Sequence, residues 1–205
     1  MEATEIEGMT PAQPSLGCCC QRRGLLEAAL GLAVGLSALP AAAEDEAKGP
    51  AVMPPQVGDQ FVFLTGDKKG QVVRVEDLTV GGPQMQAWPF DPKTKTARDQ
   101  NRLNLVMLLR FDPSDLSGDT KANSDQGVLA YSGVCTHEGC PVNMWMKDLQ
   151  FLFCSCHGSQ YDPKAGAEVQ AGPAPRPLPA LPVKVEDGVP VVAGQFSGRV
   201  GSKIS

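Results

Sequence analysis

After residue 58 the apolar residues fall in short runs, separated by the glycine, proline, aspartate and serine residues typical of turns. The most apolar of these runs is Leu103–Phe111, with the sequence L-N-L-V-M-L-L-R-F. Nine residues are too few to cross a bilayer, so this run is predicted to be a buried strand. The pattern therefore predicts an all-β fold class built from small antiparallel sheets.

Shorter runs rich in strand-forming residues are Gln60–Leu64, Gln71–Val75, Gly127–Ser132, Leu149–Phe153, Gly166–Val169, Val183–Glu186 and Val189–Ala193. The first two runs flank the turn Thr65–Gly70 and the last two flank Asp187–Gly188, so a hairpin is predicted at each place. Gly81–Arg102 is predicted to be irregular because of its prolines, and Asp112–Gln126 to be a polar surface loop. The tail from Gly194 is expected to be loosely ordered.

The N-terminal region has the pattern of a targeting segment. An arginine pair at Arg22 and Arg23 precedes the apolar run Gly24–Leu39, which ends in an alanine-rich site at Ala41–Ala43. Residues 1–43 are therefore predicted to be a twin-arginine-like export signal. The alternative is a membrane anchor that stays uncleaved, although Glu27 and several glycines weaken that span. Either form places the rest of the chain on the periplasmic side of a bacterial inner membrane.

Two further features of the N-terminal half are a cysteine cluster and a linker. The three consecutive cysteines Cys18–Cys20 come before the apolar run, and no other residue lies at metal-ligand spacing from them. They are interpreted as incidental to the targeting segment. Residues 44–58 are acidic and then rich in proline and glycine, which predicts a linker or hinge before a domain that spans residues 59–205.

The composition limits the classes of protein that this chain can be. Its 205 residues suffice for one domain with extensions and a sizeable core. The net charge of -5 at pH 7 argues against binding to nucleic acid. An acidic surface would attract a basic protein partner, although mild acidity is also common among soluble proteins.

Both histidines and four of the seven cysteines lie in the stretch Cys135–Tyr161. Its first segment reads C-T-H-E-G-C and its second reads C-S-C-H-G-S-Q-Y. Cys135 and His137 on the first segment, with Cys154 and His157 on the second, supply two thiolates and two imidazoles. Four such ligands are enough to complete a metal site. Cys140 and Cys156 remain, one on each segment, and could join the segments as a disulfide.

Three kinds of metal or haem site use ligands of these types. A structural zinc site needs the same number of ligands, but it usually pairs two cysteines at one end and two histidines at the other. Here each segment contributes one ligand of each type, which favours a centre whose two metal ions have different ligands, such as a Rieske [2Fe–2S] cluster. Covalent haem attachment requires C-x-x-C-H, whereas the order here is C-S-C-H, so it is excluded.

The residues around the ligands strengthen the iron–sulfur interpretation. C-T-H-x-G-C with C-x-C-H-G-S-x-Y resembles the two motifs of the Rieske proteins of cytochrome bc1 and b6f complexes, over residues from about Gly127 to Ala193. The resemblance implies a Rieske-type fold with the [2Fe–2S] cluster at one tip. Gly172–Pro175, with the sequence G-P-A-P, resembles the proline loop that covers the cluster.

The resemblance also implies a role for each residue of the motifs. Cys135 and Cys154 are expected to bind one iron, and His137 and His157 to bind the other, solvent-facing one. A disulfide between Cys140 and Cys156 is expected to brace the two loops. The hydroxyl groups of Ser159 and Tyr161 are expected to donate hydrogen bonds to a bridging sulfide and to a cysteine sulfur, which raises the reduction potential.

One position departs from the family pattern. Quinol-oxidising members usually carry leucine between the first histidine and the glycine, where this chain has Glu138. A carboxylate beside an exposed histidine ligand would alter docking. The departure puts direct quinol oxidation in doubt, but it does not affect the expectation of cluster binding.

The implied function is one-electron transfer, as the iron–sulfur subunit of a quinol–cytochrome c reductase-like complex. Its expected partners are a cytochrome b-like subunit, a cytochrome c-like acceptor and quinol. The alternative is the Rieske small subunit of an arsenite oxidase-type enzyme, in which a molybdopterin subunit supplies the electron. An oxygenase ferredoxin and a zinc-stabilised binding module are weaker alternatives. No separate catalytic residues are predicted.

Overall fold

The computed structural model describes residues 49–203, which contain eleven strands, one short α-helix and four short 3-10 helices joined by loops. The strands are β1 (Gln60–Phe63), β2 (Met85–Asp91), β3 (Thr96–Ala97), β4 (Val106–Arg110), β5 (Val128–Ser132), β6 (Met144–Met146), β7 (Phe151–Cys154), β8 (Ser159–Asp162), β9 (Glu168–Ala171), β10 (Val183–Glu186) and β11 (Val189–Val192), and the helix is α1 (Gly118–Ala122). The predicted all-β fold class is confirmed. The targeting segment predicted over residues 1–43, with Cys18–Cys20, lies outside the described residues.

The strands form three antiparallel sheets. The first sheet has the order β1-β2-β4-β5, with β3 paired to β2. The second has the order β6-β7-β8-β9, and the third is the hairpin β10-β11. The second sheet carries the second cysteine–histidine segment, and β5 of the first sheet leads directly into the first segment. Within residues 49–203 no helix has the length and hydropathy that crossing a bilayer requires.

The apolar run around β4 is explained by two hydrophobic cores, one on each face of the first sheet. The site core includes Cys135, Leu152, Cys154 and Tyr161, and the distal core includes Phe61, Val73, Leu181 and Val192. Side chains alternate along a strand, so Met107 and Leu109 of β4 enter the site core, while Val106 and Leu108 enter the distal core. A strand buried on both faces needs a continuous apolar sequence, and β4 has one.

The sequence prediction was wrong for part of the first sheet, because residues 81–102, predicted to be irregular, contain β2 and β3. Residues 112–126 lie mostly at the surface as predicted, but they contain the short helix α1. Proline in the middle of β2 concealed that strand. Pro89 is tolerated because β4 pairs only with Met85–Ala87, so the missing N–H of proline interrupts no bond to β4.

The predicted hairpin over residues 60–75 forms only in part. Phe63 N–H donates to Gln71 O at 3.0 Å and Val73 N–H donates to Phe61 O at 2.8 Å, so the chain does turn back on itself. However, the second run is not a strand, because it leads into a 3-10 turn at Val75–Asp77. The strand partner of β1 is β2.

Residues 50–53, which belong to the predicted linker, are bound to the domain. The carbonyl groups of these four consecutive residues each accept a hydrogen bond from residues 98–104, and the donors are Arg98, Gln100, Asn101 and Asn104. The pair Arg98–Asp59 lies beside them, with both side chains almost fully buried. Any hinge in the linker would therefore lie before Pro50.

The C-terminal residues are also held against the domain. Ser197 N–H donates to Ala180 O at 2.8 Å, and Ala180 N–H donates to the Ser197 hydroxyl at 2.9 Å. The expectation of a loosely ordered tail from Gly194 is therefore wrong for residues 197–201. The reason is a set of contacts with residues about 20 positions earlier, which the polar sequence of the tail does not indicate.

Candidate metal centre

The two ligand-bearing segments form two loops at one end of the domain. The first ligand loop, residues 133–143, joins β5 to β6, and the second ligand loop, residues 155–158, joins β7 to β8. Both are closed by the same kind of turn, in which a glycine N–H donates to a cysteine carbonyl at 3.0 Å: Gly139 to Cys135 and Gly158 to Cys154. These glycines have φ values of 75° and 79°, in the left-handed region that other residues rarely adopt.

Cys135 and Cys154 lie in the site core, and each is 1% exposed. Both are free thiols, and the backbone N–H groups of Cys156 and His157 point at the Cys154 sulfur. Burial raises the pKa of the Cys154 thiol, and the neighbouring Cys135 raises it further. A metal cation would compensate the negative charge that two buried thiolates bring together.

His137 and His157 lie next to each other, with ring centroids 4.7 Å apart and ring planes at 87°. The His157 side chain is 45% exposed, whereas the Nδ1 atom of His137 is buried and has no hydrogen-bond partner within residues 49–203. Potential ligand atoms of the two histidines and Glu138 lie within 4.8 Å of one another. The structure therefore places the cysteines on the inner side of the centre and the histidines nearer to solvent.

The two predicted hydroxyl donors, Ser159 and Tyr161, are both buried on β8. The Tyr161 hydroxyl lies 3.1 Å from Cys135 Sγ. Burial, reinforced by Cys135, raises the pKa of Tyr161, so its hydroxyl stays protonated and can donate to the sulfur. The Ser159 hydroxyl has no hydrogen-bond partner among the described residues, although the side chain is 0% exposed.

Cys140 and Cys156 form a disulfide, with Cα atoms 6.6 Å apart, that joins the first ligand loop to the second. The expected disulfide is therefore confirmed. It constrains two loops whose ligands must hold their relative positions for a metal centre to form.

Two arginines beside the loops were not found by sequence reasoning. Arg102 donates from Nη1 to the Gly139 carbonyl at 2.7 Å, in the first ligand loop. Arg176 follows the predicted proline loop, and its carbonyl accepts a hydrogen bond from Thr136 Oγ1 at 2.7 Å. Thr136 could have been considered, because it separates two predicted ligands. Arg102 and Arg176 lie outside both motifs, and no pattern in the neighbouring residues indicates that they contact the ligand loops.

The predicted proline loop, Gly172–Pro175, packs directly on the second ligand loop. Gly172 has a φ value of 88°, and a Cβ atom added there would lie 2.5 Å from Ser159 Cα and 2.7 Å from Gly158 O. Both neighbours are backbone atoms, which cannot rotate away. Only glycine lets the loop approach the metal centre this closely.

Replacing Gly172 with alanine should therefore destabilise the domain and separate the two loops. The left-handed backbone conformation costs about 1–2 kcal/mol in a residue with a Cβ atom, and forced overpacking adds about 1–3 kcal/mol. Urea unfolding measures the change. Gly66→Ala is the matched control, because Gly66 has a φ value of 80° and no atom within 4 Å of its Cβ position. Equal losses in the two variants would contradict the proposed contact.

The comparisons with known proteins agree with this geometry. Residues 91–182 match the model of the Rieske [2Fe-2S] domain family. A cytochrome bc1 complex Rieske iron-sulfur subunit from Streptomyces lividans is 36% identical over 143 residues, which cover 68% of this chain and 84% of that protein. A protein of the same description from Mycobacterium tuberculosis is 31% identical, over 72% of this chain and 39% of that protein.

Among solved structures, a chain of a hyperthermophilic respiratory Complex III has a TM-score of 0.39 and 26% identity, covering 58% of this chain and 71% of that chain. The family match begins at Asp91, well before the motifs, so it includes β4 and β5 as well as the ligand loops. The family match therefore begins earlier than the resemblance noted over residues 127–193, and it ends earlier, at residue 182.

A Rieske cluster fits the residues that are present. Two buried polar atoms, His137 Nδ1 and Ser159 Oγ, lack a partner within the described residues, and a cluster offers them an iron and a sulfide. Each of the two loop regions supplies one buried free thiol and one histidine, and the two histidine rings lie next to each other, which are the ligand types that a centre with unlike iron sites requires. The assignment of the individual ligands remains a prediction. The Streptomyces lividans subunit is 36% identical to this chain over 84% of its own length. This match, together with the fit of the residues to a cluster, shows that the chain belongs to the Rieske [2Fe–2S] family and binds a cluster of that type.

Proposed function

We propose that this protein carries single electrons as the iron–sulfur subunit of a quinol–cytochrome c reductase-like complex. The observation that carries the proposal is the placement of two histidines at the exposed end of a centre whose cysteines are buried. Relatives described as cytochrome bc1 complex Rieske iron-sulfur subunits support it. The proposed partners are a cytochrome b-like donor subunit and a cytochrome c-like acceptor, on the periplasmic side of a bacterial inner membrane.

The chain's own residues give the centre a fixed and partly dry environment. A bound Rieske cluster supplies the reversible one-electron step. Tyr161, fully buried, can donate to Cys135, and the buried Ser159 hydroxyl, which has no partner among the described residues, is proposed to donate to the cluster. The disulfide and the strands that carry both loops limit movement between the two redox states. His157 reaches solvent, where a donor or acceptor can approach it.

Changing Ser159 to alanine should lower the midpoint potential of the cluster. Loss of one hydrogen bond to a charged acceptor corresponds to about 1.5–3 kcal/mol, which is roughly 60–130 mV for a one-electron couple. Redox titration followed by EPR measures the shift. Ser114→Ala is the control, because the exposed Ser114 hydroxyl donates to the Asp112 carboxylate, outside both ligand loops. An unchanged midpoint in Ser159→Ala would remove this serine from the tuning of the cluster.

A second candidate function is electron transfer from a molybdopterin subunit, as in arsenite oxidase-type enzymes. One observation favours it: a carboxylate oxygen of Glu138 lies 3.7 Å from Nε2 of His157, and both side chains are exposed. In quinol-oxidising members the corresponding residue is usually leucine, and quinol approaches the exposed histidine. In this chain the carboxylate would compete with quinol at that nitrogen.

Purification of the tagged chain from the membranes of its source organism distinguishes the two functions. The proposed function predicts that b- and c-type haem spectra accompany the chain, and that reduction of its cluster depends on added quinol. Molybdenum in place of haem b would overturn the proposal in favour of the second candidate. A Glu138→Leu variant, purified in parallel, tests whether the carboxylate slows reduction by quinol. Glu138→Gln is its control, because glutamine keeps the size of the side chain.

A further inference from the structure

The C-terminal segment Ser197–Gly201 lies along the residues that follow the proline loop. Phe196, just before it, packs against the distal core, and the two hydrogen bonds between Ser197 and Ala180 fix the start of the segment. These contacts place its later carbonyl groups beside the side chain of Arg176.

Arg176 joins this segment to the proline loop through both arms of its guanidinium group. Nη1 donates to the Arg199 carbonyl at 2.6 Å, and Nη2 donates to the Gly201 carbonyl at 2.5 Å. Gly201 is buried and has a φ value of 75°, so its carbonyl is presented by a defined turn and not by a loose chain end. A planar guanidinium group can hold two carbonyl groups at once, which a lysine ammonium group does with less geometric definition.

The backbone of Arg176 is in turn connected to the metal centre. Its carbonyl accepts the hydrogen bond from Thr136 Oγ1, and the Thr136 side chain is 1% exposed. The backbone N–H of Thr136 donates to the Tyr161 hydroxyl at 3.4 Å, and that hydroxyl is the group 3.1 Å from Cys135 Sγ. Four successive contacts thus lead from the C-terminal segment through Arg176, Thr136 and Tyr161 to the Cys135 sulfur.

We propose that Arg176 is a positioning residue, which uses the C-terminal segment to fix the proline loop and thereby the contact between Tyr161 and Cys135. The Tyr161 hydroxyl bond stabilises the more negative, reduced cluster, so a fixed contact keeps the midpoint potential high. Without Arg176, Thr136 and the proline loop become more mobile. The Tyr161 hydroxyl then donates to the Cys135 sulfur for a smaller fraction of the time. The proposal depends on the cluster and not on which partner supplies its electron.

Redox titration and hydrogen exchange of the full-length, cluster-loaded protein test this role. Arg176→Ala should shift the midpoint downward, change the EPR spectrum of the reduced cluster, and speed amide exchange in residues 135–140 and 172–178. Arg176→Lys keeps the charge but not the two-armed contact, so it should give a smaller shift in the same direction. Arg74→Ala is the control: Arg74 also donates to a carbonyl, that of Asp187, but contacts no ligand loop, so its midpoint should be unchanged.

A second variant tests the segment itself. Replacing residues 199–205 with a flexible Gly-Ser sequence of the same length removes the ordered carbonyl groups and keeps Phe196 and Ser197. It should reproduce the midpoint shift of Arg176→Ala, and combining the two changes should add little, as expected for residues acting through one contact. An unchanged midpoint in either variant, or fully additive shifts, would overturn the proposal. Wild-type behaviour of Arg176→Lys would show that charge alone matters and would also overturn it.

Discussion

A Cys154→Ser variant is expected to lose its cluster completely. Cys154 is a buried free thiol at the end of β7, and backbone N–H groups of the second ligand loop point at its sulfur. A serine hydroxyl is a much poorer ligand for iron than a thiolate, and no other free cysteine among the described residues remains except Cys135. Iron and acid-labile sulfide should fall from about two of each per chain to none, and the EPR signal of the reduced protein should disappear.

Cys19→Ser provides the matched control when both variants are measured in the full-length chain that keeps residues 1–43, because it makes the same chemical change in a cysteine that is not expected to bind metal. That variant should keep its iron, sulfide and spectrum. If the wild-type protein contained zinc and no labile sulfide, a structural zinc site would replace the iron–sulfur interpretation. If Cys154→Ser retained the cluster, the assignment of this ligand would be wrong.

The second large effect is expected for Arg98→Met, which should cost about 3–5 kcal/mol of unfolding free energy. Arg98 donates from Nε to one carboxylate oxygen of Asp59 at 2.5 Å and from Nη2 to the other at 2.9 Å. These hydrogen bonds raise the pKa of Arg98, so it stays charged. Methionine would leave the carboxylate of Asp59, which is 2% exposed, buried without its cation. The bond from Arg98 to the Pro50 carbonyl would also be lost.

Urea unfolding followed by circular dichroism measures this loss. Arg74→Met is the control, since Arg74 forms an exposed ion pair with Glu76, and such pairs contribute at most about 1 kcal/mol. Adding Asp59→Asn to Arg98→Met should recover part of the stability, because the buried group is then neutral. If Arg98→Met lost no more than Arg74→Met, the pair would not hold residues 50–53 in place.

The candidate ligands can be identified from the amino-acid sequence because their chemistry is local. Cys135 and His137 lie two residues apart, and Cys154 and His157 lie three residues apart. This short spacing allows both side chains of each pair to bind the same metal centre. The disulfide between Cys140 and Cys156 followed from the family resemblance and is present in the structure. By contrast, the sequence did not predict β2, because Pro89 disfavours a strand. Pro89 fits in β2 only because the pairing with β4 ends at Ala87, so no N–H group is needed there.

The sequence by itself determined the fold class, the buried central strand β4 and the set of residues that could hold a cluster. Each of these depends on the period of apolar residues or on the spacing within a short motif, and both are properties of neighbouring residues. Only the tertiary structure decided which distant residues support the metal centre and the start of the domain. Thr136 bonds to a residue 40 positions later, and Arg98 bonds to one 39 positions earlier. Such pairs form because the fold brings segments distant in sequence together, and no local pattern predicts which distant carbonyl or carboxylate will be the partner.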